Sequence, residues 1–350
     1  DNAAEAVLRG CRMAADQWKC EIILTGDGEK LRARAAELGV SLEGMTIAEA
    51  PDVFPMEAEP TAIMKQYKDS SMARGLQMLA EGGGEAFVSA GSTGALVVGG
   101  TLIVKRIKGV KRPAIGTVVP CKDGCFMMLD SGANHDCRPE MLRQFGLMGS
   151  VYMKRILGVP NPRVGLVNIG VEETKGTELQ VEAYGLMKEA GYNFIGNVEA
   201  REVPLGGCDV AVCDGFTGNI ILKTTEGLAK LFMSEIKGIF MKSLPNKLAA
   251  AVVKKDLGAF KRKFDSAEYG GPCCWAPRSR SLRRMAAAMP RPSTMPYGRP
   301  SAAVRIISSA RWKASWRSRP LRRNKLYPSK RGCSYVHGGF AGEDRLSFSR

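Results

Sequence analysis

Apolar residues fall into two alternating patterns along this chain. Short, nearly continuous runs rich in Val, Ile and Phe occur at Glu21–Leu24, Ala86–Ser89, Ala114–Val119, Phe126–Asp130, Arg163–Ile169, Phe194–Gly196 and Asp209–Asp214. Longer stretches with apolar positions every three or four residues lie between them, as in Glu140–Leu157 and Glu178–Ala190. The first pattern predicts strands and the second helices. Their alternation predicts an α/β fold with a largely parallel sheet and helices on both faces. Ligands of such sheets sit outside the carboxyl ends of the strands, so the loops leaving strands are where chemistry is expected. Leu231–Phe264 reads as a helical hairpin broken near Pro245.

Composition narrows the class. Of the 350 residues, 45% are hydrophobic and 25% charged, the balance of a soluble globular protein. No apolar run reaches the roughly 18 residues of a membrane span, and no signal peptide opens the chain. The sequence starts at Asp1 in what reads as a loop, so an N-terminal segment is expected to be missing. Cys20, Cys208 and Cys213 lie in or beside apolar runs, the surroundings of reduced, buried thiols and of a cytoplasmic protein. The Cys121–Cys125 spacing is not that of a metal knuckle, and no metal site is expected.

The formal charge of +16 changes meaning once it is located. Pro272–Arg350 carries 18 of the 51 Lys and Arg residues and 2 of the 35 acids, leaving Asp1–Gly271 with 33 of each. The tail also holds three of the four Trp residues and is rich in Arg, Ser and Pro. Two readings are open: a basic nucleic-acid-binding arm, or a coding sequence read out of frame. Reading each codon from the third base of the one before lets Arg284–Pro290 decode as His-Gly-Ser-Ser-Asn-Ala. The same shift lets Ser293–Pro300 decode as Asn-Asn-Ala-Ile-Arg-Gln-Ala.

Four loops in the neutral body carry candidate chemistry. Val88-Ser-Ala-Gly91-Ser-Thr93-Gly94 and Val212-Cys-Asp214-Gly215-Phe-Thr217-Gly218-Asn219 are both a strand end, a G-x-T-G turn and a helix start. Glycines let such a turn expose its N–H groups, and the helix N-terminus favours an anion. Plain turn geometry is the alternative for each. Neither is a dinucleotide fingerprint or a P-loop. Asn168-Ile-Gly-Val-Glu172-Glu173-Thr-Lys175 places a lysine in a third such loop, where Glu172 and Glu173 either position it or form a solvated cap. In Asp130-Ser-Gly-Ala-Asn134-His135-Asp136-Cys137-Arg138-Pro139, Pro139 suits a first helical turn, with Asp136 or Cys137 as its cap. His135 is the body's one histidine, and without a G-x-S-x-G elbow a structural role is the simpler reading. The Leu231–Phe264 hairpin mixes apolar residues with eight Lys or Arg and two acids, which suits either an anionic membrane surface or a packed interface.

These strings together resemble the PlsX family of bacterial acyl-acyl-carrier-protein:phosphate acyltransferases. The resemblance runs in order through Lys68-Asp-Ser-Ser-Met72, Ser89-Ala-Gly-Ser-Thr-Gly-Ala-Leu96, Gly109-Val-Lys-Arg-Pro113, Gly132-Ala-Asn-His-Asp-Cys137, Asn168-Ile-Gly-Val-Glu-Glu-Thr-Lys175, Phe194-Ile-Gly-Asn-Val-Glu-Ala-Arg201, Asp214-Gly-Phe-Thr-Gly-Asn219 and Glu268-Tyr-Gly-Gly271. Asp1-Asn2 resembles the end of the family's Asp-Ala-Met-Gly-Gly-Asp-Asn opening. The family continues after Tyr-Gly-Gly with Leu-Leu-Gly, His-Gly-Ser-Ser and Asn-Ala-Ile-Arg-Gln-Ala, which the shifted tail can encode. The expected organisation is therefore an acyltransferase domain over 1–271, hairpin included, and an out-of-frame, disordered tail over 272–350.

The resemblance implies a three-layer α/β/α sandwich, isocitrate dehydrogenase-like and phosphotransacetylase-like. It implies a homodimer that is cytoplasmic and touches anionic membrane through the hairpin. The implied reaction moves a fatty acyl group from acyl carrier protein to inorganic phosphate, without cofactor. The acyl phosphate would pass to a glycerol-3-phosphate acyltransferase on the way to phosphatidic acid. Lys175 and Asn219 are the implied catalytic residues. Ser89, Gly91, Ser92, Thr93, Gly94, Asn134, Asp214, Gly215, Thr217 and Gly218 are the expected phosphate- and substrate-binding set. The rival readings are a coenzyme A-dependent phosphate acetyl- or butyryltransferase and, through the tail alone, a nucleic-acid-binding protein.

Overall fold

The computed structural model describes residues 5–107, 109–263, 273–275 and 304–305. The Asp1-Asn2 and Glu268–Gly271 motifs and the decoded strings between Arg284 and Pro300 lie outside the described residues. In chain order the elements are α1 (Glu5–Trp18), β1 (Ile22–Gly26), α2 (Gly28–Glu37), β2 (Met45–Glu49), α3 (Ser71–Glu81), β3 (Val88–Ser89), α4 (Thr93–Leu102), β4 (Ala114–Cys121), β5 (Gly124–Leu129), α5 (Pro139–Arg155), β6 (Val164–Asn168), α6 (Glu178–Lys188), β7 (Phe194–Glu199), β8 (Val210–Val212), α7 (Gly215–Met241), α8 (Leu244–Lys263), β9 (Cys273–Trp275) and β10 (Val304–Arg305).

The main sheet has the order β7-β6-β8-β5-β4-β9. β7, β6, β8 and β5 run parallel, while β4 is antiparallel to β5 and β9 antiparallel to β4. The sheet is thus mixed but mostly parallel, as expected: among its described strands β4 alone is reversed. Only Lys122 and Asp123 separate β4 from β5, and so short a link can join only antiparallel neighbours. β1 pairs with β2 in a separate parallel pair, and β3 pairs with β10.

Side chains alternate across the central strands and build two cores. Met127, Leu129, Val164, Leu166, Val210 and Val212 pack against Leu142, Phe145 and Met153 of α5 and Ala183 and Met187 of α6. Their neighbours Phe126, Met128, Val167, Val198 and Ala211 face the other way, toward Ile221 and Leu222 of α7. Burial on both faces explains why these strands read as continuous apolar runs rather than alternating ones. The result is an α/β/α sandwich around the sheet.

Helix starts follow local chemistry. Ser70 caps α3, Thr177 and Gln180 form a capping box on α6, and Pro139 occupies the first turn of α5. The cap of α5 is Arg138, without a side-chain bond, rather than Asp136 or Cys137. The Cys137 thiol instead donates to the Asn134 carbonyl at 3.5 Å. α7 leaves the core after its first turns and runs for 27 residues, about 40 Å at 1.5 Å per residue. The hairpin breaks at Lys242-Ser243, and Pro245 sits inside the first turn of α8, where a missing N–H is harmless. Leu244, Leu248 and Val252 are 74%, 66% and 84% exposed.

Candidate active site

β6, β8 and β5 are adjacent and parallel, so the loops leaving them emerge side by side at one sheet edge. These loops hold Asn168–Thr177, Cys213–Asn219 and Asp130–Cys137 respectively. Three of the four candidate loops thus leave the same edge of the main sheet. The fourth belongs elsewhere in the chain's packing. A β-carbon on Gly91 would meet Met72 at 2.6 Å, and one on Gly94 would meet Pro60 at 2.8 Å. Ser92 caps α4 by accepting from the Ala95 N–H, and the Ser89 hydroxyl accepts from the Gly91 N–H. Thr93 is exposed beside them.

Asp130 organises the β5 loop. It is fully buried, and its carboxylate accepts from the backbone N–H groups of Ile115, Gly132, Ala133 and Asn134 and from the Asn134 side-chain amide. Asn134 also donates to the Pro113 carbonyl at 2.7 Å. Burial pushes the Asp130 carboxyl above its ordinary value, against the opposing pull of these donors.

The first turn of α7 lies directly on this loop. The Gly215 N–H donates to the Asn134 carbonyl at 2.7 Å. A β-carbon on Gly215 would lie 2.7 Å from that carbonyl oxygen, and one on Gly218 would lie 1.9 Å from the Asp130 carbonyl. Asp214, itself buried, caps α7 by accepting from the Thr217 N–H and hydroxyl, both at 2.8 Å. The Gly218 N–H donates to the Asp214 carbonyl. The N–H groups of Gly215, Thr217 and Gly218 are therefore used within the protein, and the glycines serve close packing. Asn219, one residue on, is exposed, with its side chain beside Gly132.

The β6 loop presents Lys175. Its stem folds against Gly170, and the side chain is exposed. The Lys175 N–H donates to the Glu172 carbonyl at 3.2 Å, and the Lys175 carbonyl accepts from the Asn168 amide at 2.9 Å. The Asn197 amide donates to the same Glu172 carbonyl at 2.7 Å. Gly176 follows at φ +96°, a conformation that side chains disfavour. Glu172 thus supports Lys175 through its main chain. Glu173 turns away to Lys188 and Tyr184, whose contacts hold its carboxyl below the ordinary value.

The nearby thiols are poor nucleophiles. Burial, reinforced by the Asp130 and Asp214 carboxylates, pushes the Cys137 thiol up to about 12. Burial likewise raises the fully enclosed Cys213. His135 is exposed on its loop. Sequence reasoning singled out Lys175, Asn134, Asp214 and Asn219 but gave no part to Asp130, Asn168 or Asn197 individually. The signal for Asp130 was an acid ending an otherwise apolar strand.

Comparison with known proteins identifies the family. The chain matches the family described as "Fatty acid synthesis protein" over residues 1–276. The phosphate acyltransferase of Acetivibrio thermocellus is 46% identical over 272 residues, covering 77% of this chain and 80% of that protein. That of Desulforamulus reducens is 46% identical over 276 residues, covering 77% and 81%. Among solved structures, a EutD phosphotransacetylase from Staphylococcus aureus aligns with a TM-score of 0.49 at 17% identity, over 66% of this chain and 81% of that one. Matched along most of its length at this identity, the chain belongs to the PlsX family of phosphate acyltransferases.

Proposed function

We propose that this protein transfers a fatty acyl group from acyl carrier protein to inorganic phosphate, and that Lys175 and Asn219 carry the reaction. The observation that carries this reading is a sheet edge with an exposed ammonium and an exposed amide on neighbouring loops, beside thiols whose protons are held too tightly for nucleophilic attack. The nucleophile is then the phosphate itself. A phosphate oxygen attacks the thioester carbonyl, a C–O bond forms, and the carbonyl oxygen gains negative charge. The C–S bond then breaks, the pantetheine thiolate leaves and takes a proton from solvent, and the product is a mixed carboxylic–phosphoric anhydride.

Lys175 supplies positive charge to the phosphate or the oxyanion, and Asn219 donates to whichever of the two Lys175 leaves. Such donors are effective because they are already in place as charge develops. Ile169, Val171 and Phe216, 79%, 64% and 60% exposed, give the same edge apolar surface suited to an acyl chain. No cofactor is needed.

The protein acts as a homodimer in the cytoplasm, resting on anionic membrane through α7 and α8, and its product passes to a glycerol-3-phosphate acyltransferase. No helix among the described residues is long and apolar enough to cross a membrane. The family match ends at residue 276, which supports a domain boundary close to Gly271, although β9 still pairs with β4 beyond it.

The test supplies the full chain with phosphate and either a long-chain acyl carrier protein thioester or acetyl-coenzyme A, trapping acyl phosphate with hydroxylamine. Product from the first donor alone is expected. Product from the second alone would assign the chain to coenzyme A chemistry instead.

A further inference from the structure

We infer that Asn197 and Asn168 are positioning residues that set Lys175 for catalysis from the two strands beneath its loop. The inference rests on the assignment of Lys175 above and deepens it. The peptide groups on both sides of Lys175 are held. On one side its N–H donates to the Glu172 carbonyl, which the Asn197 amide also holds at 2.7 Å. On the other side its carbonyl accepts from the Asn168 amide at 2.9 Å. The Asn168 oxygen is in turn fixed by the Ile169 N–H at 2.8 Å.

The two asparagines stand on adjacent strands, β7 and β6, with Asn197 paired to Leu166 and Glu199 to Asn168. They form a rigid base, whereas the loop they hold is exposed from Ile169 to Thr177 except at Gly170. A loop so exposed has little packing of its own to fix a lysine.

Asn197 also has a feature that packing alone does not explain. It is 6% exposed, and its side-chain oxygen has no partner among the described residues. An unpartnered buried acceptor is unfavourable, and an apolar side chain of similar shape removes that burden. At a purely structural position a leucine would serve the strand better. The asparagine is accounted for by the one bond its amide makes, to the carbonyl that anchors Lys175.

The test separates position from stability. Asn197→Leu keeps the branched shape and abolishes the bond to Glu172. Asn168→Asp keeps the acceptor for Ile169 and abolishes the donor to Lys175. With saturating substrates each variant should lose about 10- to 100-fold in kcat, the scale on which misplacement of a reacting group is felt. KM for the acyl donor and the melting temperature should stay near wild type. Combined with Lys175→Ala, neither should slow the enzyme further, because both act through that lysine.

Normal kcat in both variants while Lys175→Ala is inactive overturns the inference and leaves the function assignment intact. Additive losses in the double variants overturn it too. A fall in melting temperature that tracks the loss of rate in both variants makes the asparagines supports of the fold instead. Normal turnover in Lys175→Ala would remove the assignment on which the inference stands.

Discussion

The α-carbon of Gly218 sits on the carbonyl of Asp130 so closely that a β-carbon there would lie 1.9 Å from the oxygen. Helix α7 and the β5 loop are thereby locked face to face, and Asn219 is brought beside Gly132. The second G-x-T-G turn owes its glycines to this approach, not to an anion waiting at its N–H groups.

Gly218→Ala should therefore be costly. The obstructing atom is backbone and cannot rotate away, so α7 must shift. A destabilisation of about 1–3 kcal/mol is expected from overpacking of this kind, together with loss of acyl phosphate formation as Asn219 moves. Urea unfolding and the hydroxylamine assay run side by side check both. Retained stability with retained turnover would mean that α7 can retreat without consequence.

Asp130 gives a prediction in pH. Burial raises its carboxyl above 3.8 in the folded protein, so the folded state holds that proton more readily than the unfolded chain. Stability contributed by this group is then full below 3.8 and falls as pH rises through the folded value. Asp130→Asn cannot titrate. It leaves N–H donors facing an amide that cannot accept from all of them, at a cost of about 1–3 kcal/mol. The lead of wild type over the variant should grow as pH falls from 7 to about 4, near the ordinary carboxylate range. A lead that shrinks on acidification would show that the ring of N–H donors outweighs burial.

Much of this architecture was legible in the sequence, and the exceptions have physical causes. Buried parallel strands announce themselves as apolar runs, so β5, β6 and β8 appear within two residues of their observed ends. The β4–β5 reversal was readable from Asp123-Gly124, a pair suited to tight hairpins, but the runs on either side look alike whichever way they point. β2 escaped notice because Met45–Glu49 is nowhere fully buried. The site loops were found from their glycines and polar residues. Which polar groups stay free for a substrate was not legible, because it depends on bonds between loops far apart in sequence, as from Gly215 to Asn134. Asn197 was invisible for the same reason: its meaning lies in a carbonyl 25 residues away.

The hairpin predicts reversible binding to anionic membrane. α8 exposes Leu244, Leu248 and Val252 on a helix that also carries Lys247, Lys254 and Lys255. Such a surface gains from apolar burial and from attraction to acidic headgroups, and the second contribution weakens with salt. Phosphatidylglycerol-containing vesicles should sediment the wild type at low salt and less of it at high salt. Leu244→Glu/Leu248→Glu should remain largely in the supernatant while its melting temperature hardly changes, since both side chains are exposed. Equal sedimentation of the two proteins would leave packing against another copy as the use of this face.

Lys175 and Asn219 should separate chemistry from folding. Both side chains are exposed at the sheet edge, so truncating either to alanine removes a hydrated group and uncovers no cavity. The stability change should stay within about 1 kcal/mol, as at surface positions generally. The rate should fall much further. One preorganised donor to a developing oxyanion is worth about 100- to 1,000-fold, and Lys175→Ala and Asn219→Ala should each lose turnover on that scale at saturating acyl donor and phosphate. Lys175→Arg keeps the charge on a longer, planar group whose bonding geometry differs, so it should recover binding of phosphate before it recovers rate. Near-normal turnover in both alanine variants would remove these two residues from the chemistry while leaving the family membership untouched. Inactivity with a large drop in melting temperature would instead make them parts of the loop architecture that Asp130 and Asn197 hold in place.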